Sequence, residues 1–383
     1  MPLFVIVVAA ILGELVLRAA FGFPLPMVNF RVDERLLFTA HPAFPEIDDQ
    51  GFRTLPADDE YELAAIGDSH TFGYNVSTTE SWPALLADEQ GISVHNYGVS
   101  GYNFLHYYTL AQDALESGMD VVIAIYPAND LTQFVCELYE LDGWAIDRER
   151  LGVSLDCADH PLGGSFLPVR PPEQRSSTEQ IKEWIIENVA TASTIYHLIW
   201  RPTRQAAAAS PAGTLVYPGG IDDPGFERFD VQLFDLFIAS MKRNGGFVSR
   251  SFEASLQAFD QLIEEARTRD RFIGFLMVRS RPRIIAASYG DARNDLEPRF
   301  AELARYEDEI VEDYERFFES RGVPVVDNLE FVLVAYERAR SQQEAFWPVA
   351  DDDHPLADGY VAYAEAVGEL LSSKPRWQER AAH

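Results

Sequence analysis

Positive charge is what this chain lacks most. Its 383 residues carry 31 Lys and Arg against 61 Asp and Glu, a formal net charge of −30. The only lysines are Lys182, Lys242 and Lys374. A surface so acidic repels phosphate backbones, which excludes a nucleic-acid partner. Cysteine is equally scarce. Cys136 and Cys157 are the only two, and no second Cys or His pair stands nearby at zinc-ligand spacing, so no metal site is expected. An even pair permits one disulfide in an exported protein; two unpaired buried thiols are the alternative. Long apolar runs are also missing, with one exception at the N-terminus. Leu3 to Leu12 is unbroken, and after Gly13 and Glu14 the run resumes as Leu15-Val16-Leu17. That falls short of the roughly 20 residues of a membrane span, and it lacks the basic start and small-residue cleavage site of a signal peptide. A buried N-terminal helix is one reading. We favour an uncleaved signal anchor or transmembrane segment over residues 1–26, with the rest of the chain extracytoplasmic, periplasmic or at the cell surface, or secreted if the segment is cleaved.

What is present is a large apolar fraction, 47%, enough for a sizeable core. After an N-terminal extension over 27–60, strand and helix patterns alternate. Glu62–Ile66, Ile92–Asn96 and Asp120–Tyr126 read as strands. Trp82–Glu89, with Thr79 as N-cap, and Asn103–Ser117 read as the helices between them. Asp120–Tyr126 is apolar enough to be buried on both faces, as parallel strands are. The rhythm breaks over residues 131–246, which contain the alanine run Ala206–Ala209, several prolines and one helix near Thr178–Trp200. We read that stretch as an insertion. A helix at Ser251–Arg269, a strand at Phe272–Val278, a long amphipathic helix at Arg299–Arg321, a strand at Val323–Val326 and a closing helix at Asp358–Ser372 complete the pattern. The main domain is thus expected over 61–375, with a short tail over 376–383. Such alternation predicts an α/β fold with a parallel sheet between helical layers.

Three chemically useful residues follow directly on three successive strands: Ser69, Gly98 and Asn129. In an open parallel sheet the carboxyl-end loops meet at one edge, so the topology alone gathers them. Far downstream stands Asp351-Asp352-Asp353-His354. A serine hydroxyl becomes a competent nucleophile when a histidine takes its proton and a carboxylate orients that histidine. N–H groups of Ser69 and Gly98 and the side-chain amide of Asn129 would make an oxyanion hole. Taken singly, each of these motifs is an ordinary turn or cap; their order and placement at strand ends carry the functional reading.

These blocks resemble the SGNH/GDSL hydrolase superfamily, over roughly residues 50–130 and 250–372. Gly67-Asp68-Ser69 matches its first block, Gly98 the second, Asn129-Asp130 the third and Asp351-x-x-His354 the fifth. The resemblance implies a flavodoxin-like three-layer α/β/α sandwich and a Ser-His-Asp triad. In it Ser69 is the nucleophile, His354 the general base and Asp351 the orienting carboxylate, with an oxyanion hole from Ser69, Gly98 and Asn129. It implies no cofactor and an O-acyl ester substrate, with acetyl the expected acyl group, on a small molecule or an envelope or extracellular glycan. Asp49-Gln50-Gly51-Phe52-Arg53 behind an N-terminal apolar segment is similar to membrane-tethered members. One departure stands out: Pro127 replaces the glycine usual in the third block, fixing φ and removing a donor. His70, Arg279 and Arg281 are further candidates for contact with substrate, and Arg283 belongs to the same run; the alternatives are packing at a helix start for His70 and solvated loop positions for the arginines. Trp144, Trp184, Trp200 and Trp347 are either sugar-stacking or core residues. Two other functions compete with hydrolysis: O-acyl transfer to a sugar hydroxyl by the same triad, and glycan binding without catalysis. The residues do not indicate an oligomeric state.

Overall fold

In the computed structural model the described residues are 11–17, 29–56, 60–140, 155–161, 176–195, 214–215, 229–288, 298–348 and 352–372. They fall in two compact units. The smaller comprises 1–51 and 166–211, and the larger 52–165 and 212–383.

The larger unit is built on five strands: β1 (Leu63–Ile66), β2 (Val94–Asn96), β3 (Asp120–Ile125), β4 (Ile273–Met277) and β5 (Val325–Asp327). All four pairings are parallel, and the order across the sheet is β2-β1-β3-β4-β5. This is a doubly wound order, reversing direction between β1 and β3. Every residue of β1, β3 and β4 is buried, because helices cover both faces of a parallel sheet. That explains why Asp120–Ile125 reads as a continuous apolar run without alternation.

Helices of this unit are α1 (Ser69–Phe72), α2 (Trp82–Gln90), α3 (Phe104–Glu116), α4 (Pro127–Asp130), α5 (Val135–Tyr139), α6 (Val231–Met241), α7 (Phe247–Thr268), α8 (Arg281–Ser288), α9 (Pro298–Ser320), α10 (Leu329–Gln342) and α11 (Ala357–Ser372). The β1–β2 and β2–β3 crossovers run in opposite directions along the sheet, so right-handed connections place α2 and α3 on opposite faces. Helix α3 packs with α7, and α11 packs with α2 and α10. The long helices α7 and α9 contribute an aromatic core beneath β4. Phe275 stacks on Phe318 at 3.7 Å, and Phe259 meets both rings edge-on or tilted.

Local chemistry sets several boundaries. Ser81, rather than Thr79, is the N-cap residue of α2, because Thr78–Glu80 forms its own 3₁₀ turn under a Ser77–Glu80 capping box. Asn103 caps α3, its side chain accepting from Leu105 N–H at 2.9 Å. Helices α6, α8 and α10 were not expected from the sequence pattern. Residues 231–241, inside the stretch read as an insertion, form α6, which packs on α4 and α9. Cys136 and Cys157 are joined as a disulfide across 21 positions.

In the smaller unit, Phe30–Asp33 and Leu37–Ala40 form an antiparallel hairpin. The helix Ser177–Asn188 starts at a Ser176–Glu179 capping box, and Ala190–Ile195 follows it. Residues 11–17 are helical, about 10 Å of helix at 1.5 Å per residue. Among the described residues no helix is long and apolar enough to cross a membrane, so a spanning segment within 1–26 is not supported. The rest of that range lies outside the described residues.

Candidate active site

Strand β1 delivers the chain to the carboxyl edge of the sheet, where Gly67-Asp68-Ser69 turns directly into α1. A Cβ on Gly67 would lie 2.1 Å from Thr71 Oγ1 and 3.2 Å from the Ala124 carbonyl. Only glycine lets the corner close this tightly. Asp68 is the N-cap of α1, its carboxylate accepting from His70 N–H at 2.9 Å. Ser69 is buried, and its carbonyl accepts from Gly73 and Tyr74 N–H, both at 3.2 Å.

The downstream loop meets this corner. His354 Nε2 lies 2.6 Å from Ser69 Oγ, and His354 Nδ1 lies 2.6 Å from Asp352 Oδ1. The carboxylate on the histidine is therefore that of Asp352, where Asp351 had been expected. Asp351 itself lies outside the described residues. The physical reason is local. Asp352 Oδ1 also accepts the His354 backbone N–H at 2.9 Å, and this two-residue turn brings carboxylate and ring together without a longer loop. Burial raises the Asp352 pKa, but the His354 hydrogen bond and charge, with the Asn75 amide and His354 N–H, hold it net below the usual carboxylate range.

The neighbouring aspartate does different work. Asp353 is buried, takes a hydrogen bond from Tyr126 OH, and accepts the Arg281 backbone N–H at 2.9 Å. Burial pushes its pKa up to about 6, against the lowering effect of Tyr126, His354 and Arg281. Arg281 Nη1 donates to the Asp352 carbonyl at 2.9 Å, and its guanidinium lies 5.0 Å from the Trp347 ring centre. Trp347 Nε1 donates to the Asp353 carbonyl at 3.1 Å. Arg281 and Trp347 thus hold the loop that carries His354.

The arginines do not present themselves to a ligand. Arg279 is buried among Asp327, Asp308 and Glu307, with Nη2 2.6 Å from Asp327 Oδ2. Arg283 Nε pairs with Asp308 Oδ1 at 2.7 Å. These charges face inward toward the buried Glu307 and the part-buried Asp308 and Asp327, and a substrate-binding role for Arg279 or Arg281 is replaced by a structural one. Among the tryptophans, Trp347 is buried and Trp184 is exposed on the Ser177–Asn188 helix; Trp144 and Trp200 lie outside the described residues.

His70 is buried beneath the site. Its ring centre is 4.7 Å from that of His354 and 4.4 Å from that of Tyr126, and Nδ1 shares a 3.2 Å hydrogen bond with Tyr363 OH. Burial first, then the charge of His354, lowers its pKa well below the ordinary value, so the ring is neutral at physiological pH. It packs at the helix start, behind His354.

Two expected oxyanion donors already have acceptors. Gly98 N–H donates to Asn96 Oδ1 at 2.9 Å, while Asn96 Nδ2 donates to the Thr71 carbonyl at 3.0 Å. Gly98 is required for another reason: a Cβ there would meet Phe72 N at 2.3 Å and Thr71 C at 2.6 Å. It permits the backbone after β2 to lie against α1. Asn129 Nδ2 donates to Asp68 Oδ2 at 3.2 Å, which leaves its second amide hydrogen. Pro127, the departure in this block, sits at the first position of α4, where a missing N–H costs nothing and a fixed φ favours the helix. It therefore supports the turn that carries Asn129. Asp130 stays inside, accepting from Tyr126 N–H at 2.7 Å and Tyr107 OH at 2.8 Å.

Sequence reasoning did not single out Asp352, Asp68, Asn96 or Asn75. Asp68 carried an N-cap signal. Nothing in the sequence pointed to Asn75, whose Nδ2 donates to Asp352 Oδ2 at 2.8 Å.

Fold and site together define a class: a doubly wound α/β protein with a hydrogen-bonded serine–histidine–aspartate chain at the carboxyl edge of its sheet. No family model and no curated protein matches the sequence. Among solved structures, the chain is similar to a G-D-S-L family protein from Desulfitobacterium hafniense DCB-2, at 13% identity and a TM-score of 0.37, covering 82% of this chain and 100% of that one. It is also similar to a GDSL-like lipase from Bacteroides thetaiotaomicron VPI-5482, at 10% identity and a TM-score of 0.33, covering 83% and 92%. A protein from Lactobacillus plantarum aligns at 13% identity and a TM-score of 0.33, covering 83% and 99%.

Proposed function

We propose that this protein is a serine esterase of SGNH type, acting on O-acyl esters by way of an acyl-enzyme. The observation that carries the proposal is the relay Ser69 Oγ–His354 Nε2, His354 Nδ1–Asp352 Oδ1, with both separations at 2.6 Å. In the first step His354 removes the Ser69 proton as the oxygen attacks the ester carbonyl. Asp352 fixes the ring and stabilises the imidazolium. The oxyanion develops beside Ser69 N–H and the free hydrogen of the Asn129 amide; Gly98 N–H joins only by sharing its proton with Asn96. His354 then protonates the departing alcohol. Water repeats the sequence on the acyl-enzyme and releases the acid.

The substrates we favour are acetyl or other O-acyl groups on envelope or extracellular glycans, reached by an extracytoplasmic protein tethered through its N-terminal segment. The Cys136–Cys157 disulfide supports an oxidising compartment, and the apolar run Leu3–Leu12 supports the tether. A sugar hydroxyl taking the place of water would make the same site an O-acyltransferase.

The test is hydrolysis of p-nitrophenyl acetate by the chain lacking residues 1–26, beside its Ser69→Ala variant. Ser69→Ala should lower kcat by roughly 10⁴-fold or more while the folded circular-dichroism spectrum persists. Equal turnover in parent and variant would sink the mechanism. Added glycan that accepts the acetyl group in place of water would move the assignment to acyl transfer.

A further inference from the structure

Building on the esterase reading, we infer that Asn75 is a positioning residue: its amide, aimed by a clamped loop, holds Asp352 against His354. The loop follows α1 directly. Gly73 caps that helix at φ +83°, and Asn75 itself stands at φ +72°, a left-handed conformation that asparagine tolerates better than most residues. Two side chains fix it. The buried Arg53 guanidinium donates to the carbonyls of Phe72 (3.3 Å), Gly73 (2.6 Å) and Val76 (2.7 Å) and to Thr78 Oγ1 (3.1 Å). Tyr360 OH, from α11, donates to the Tyr74 carbonyl at 2.8 Å.

What this clamp presents is one amide group. Asn75 Nδ2 donates to Asp352 Oδ2 at 2.8 Å and lies 3.3 Å from the His354 carbonyl. Asp352 Oδ1 is committed to His354, so Asn75 occupies the other oxygen and sets the rotation of the carboxylate. Asn75 is exposed, and water competes for its amide; the fixed backbone keeps the amide in place against that competition. The charged acceptor makes this the stronger kind of hydrogen bond. It also gives a role to Arg53, the last residue of the Asp49–Arg53 motif, whose guanidinium holds Phe72, Gly73, Val76 and Thr78.

The closing experiment separates positioning from mere structure. Asn75→Gly removes the amide and keeps a residue at ease with positive φ; Asn75→Ala adds backbone strain. Asn75→Gly should lower kcat about tenfold with KM unchanged, the cost of one charge-assisted hydrogen bond. In an Asp352→Asn background the same change should have no further effect, since the group it acts through is gone. Independently of turnover, the substrate-free protein should show a low-field proton resonance from His354 Nδ1–H that is lost in Asp352→Asn and displaced upfield in Asn75→Gly. Several results overturn the inference: wild-type kcat and resonance in Asn75→Gly, a loss confined to Asn75→Ala, or equal losses with and without Asp352. A displaced resonance in a protein without esterase turnover would retain the positioning role and discard the esterase reading. Absence of both turnover and resonance in the wild type would overturn both.

Discussion

Three consecutive aspartates precede His354, and at the scale of single residues their fates diverge. A spacing argument favours Asp351, but spacing does not specify which carboxylate turns back to the ring. Asp352 does so because its Oδ1 also binds the His354 backbone N–H, while Asp353 points inward to Tyr126 and Arg281. We therefore expect Asp352→Asn to lower kcat by roughly 10³–10⁴-fold at neutral pH, through loss of histidine orientation. Asp351→Asn should stay within about threefold of wild type, a difference too small to reflect a lost charge-assisted bond. Steady-state kinetics on the two variants decides it; the reverse ranking would restore Asp351 as the partner. Asp353→Asn should show its effect chiefly in stability, because the buried Tyr126 hydroxyl loses a charged acceptor.

At the scale of elements, the corner between β1 and α1 depends on close backbone approach. Gly98 illustrates how one residue type can be recognised for one reason and required for another. The sequence suggests a glycine that opens an N–H to substrate. In the fold, that N–H serves Asn96, and the missing side chain lets the loop after β2 press against Thr71 and Phe72. Gly98→Ala should destabilise the protein by about 1–3 kcal/mol, as overpacking against unyielding backbone does, and should lower kcat through displacement of α1. Urea denaturation read alongside kinetics checks both effects; a variant with an unchanged midpoint would mean that the loop yields without strain. Helix α4 shows the converse. Pro127 departs from the pattern of the resembled family, yet it begins a helix at the one position where proline is favoured.

Across the whole molecule, buried carboxyl groups and a chain net charge of −30 act in the same direction. Burial raises the pKa of Glu307 to about 7, offset in part by Arg279 and Ser280, and that of Asp353 to about 6. A carboxyl whose folded pKa exceeds its unfolded one binds its proton more tightly in the native state. Its stabilising contribution is full below the unfolded value and is lost as pH rises through the folded value. Surface self-repulsion also grows on that limb. Thermal stability should therefore fall between about pH 5 and pH 8. Asp352 acts oppositely, since its depressed pKa withdraws stability only as pH drops through and below the ordinary carboxylate range. Glu307→Gln should flatten the decline between about pH 5 and pH 8, which a series of calorimetric scans on both proteins would reveal. A slope unchanged by the substitution would place the effect in the surface charge alone.

The sequence by itself determined the alternating strands and helices, the parallel sheet, and the gathering of Ser69, Gly98 and Asn129 at one edge, while His354 was placed there by the resemblance alone. These follow from apolar periodicity and from the rule that carboxyl-end loops of such a sheet converge, both written in local pattern. Helices α6, α8 and α10 were not legible; in α8 the polar residues Arg281 and Arg283 find their partners far along the chain, at Asp352 and Asp308. The choice of Asp352, the inward turn of Arg279 and Arg281, the commitment of Gly98 N–H to Asn96 and the reach of Asn75 were decided only by tertiary structure. The choice of Asp352 and the commitment of Gly98 N–H rest on two-residue contacts within loops that the fold sets, and the others on side chains that meet across 48 to 277 positions, which no periodicity records.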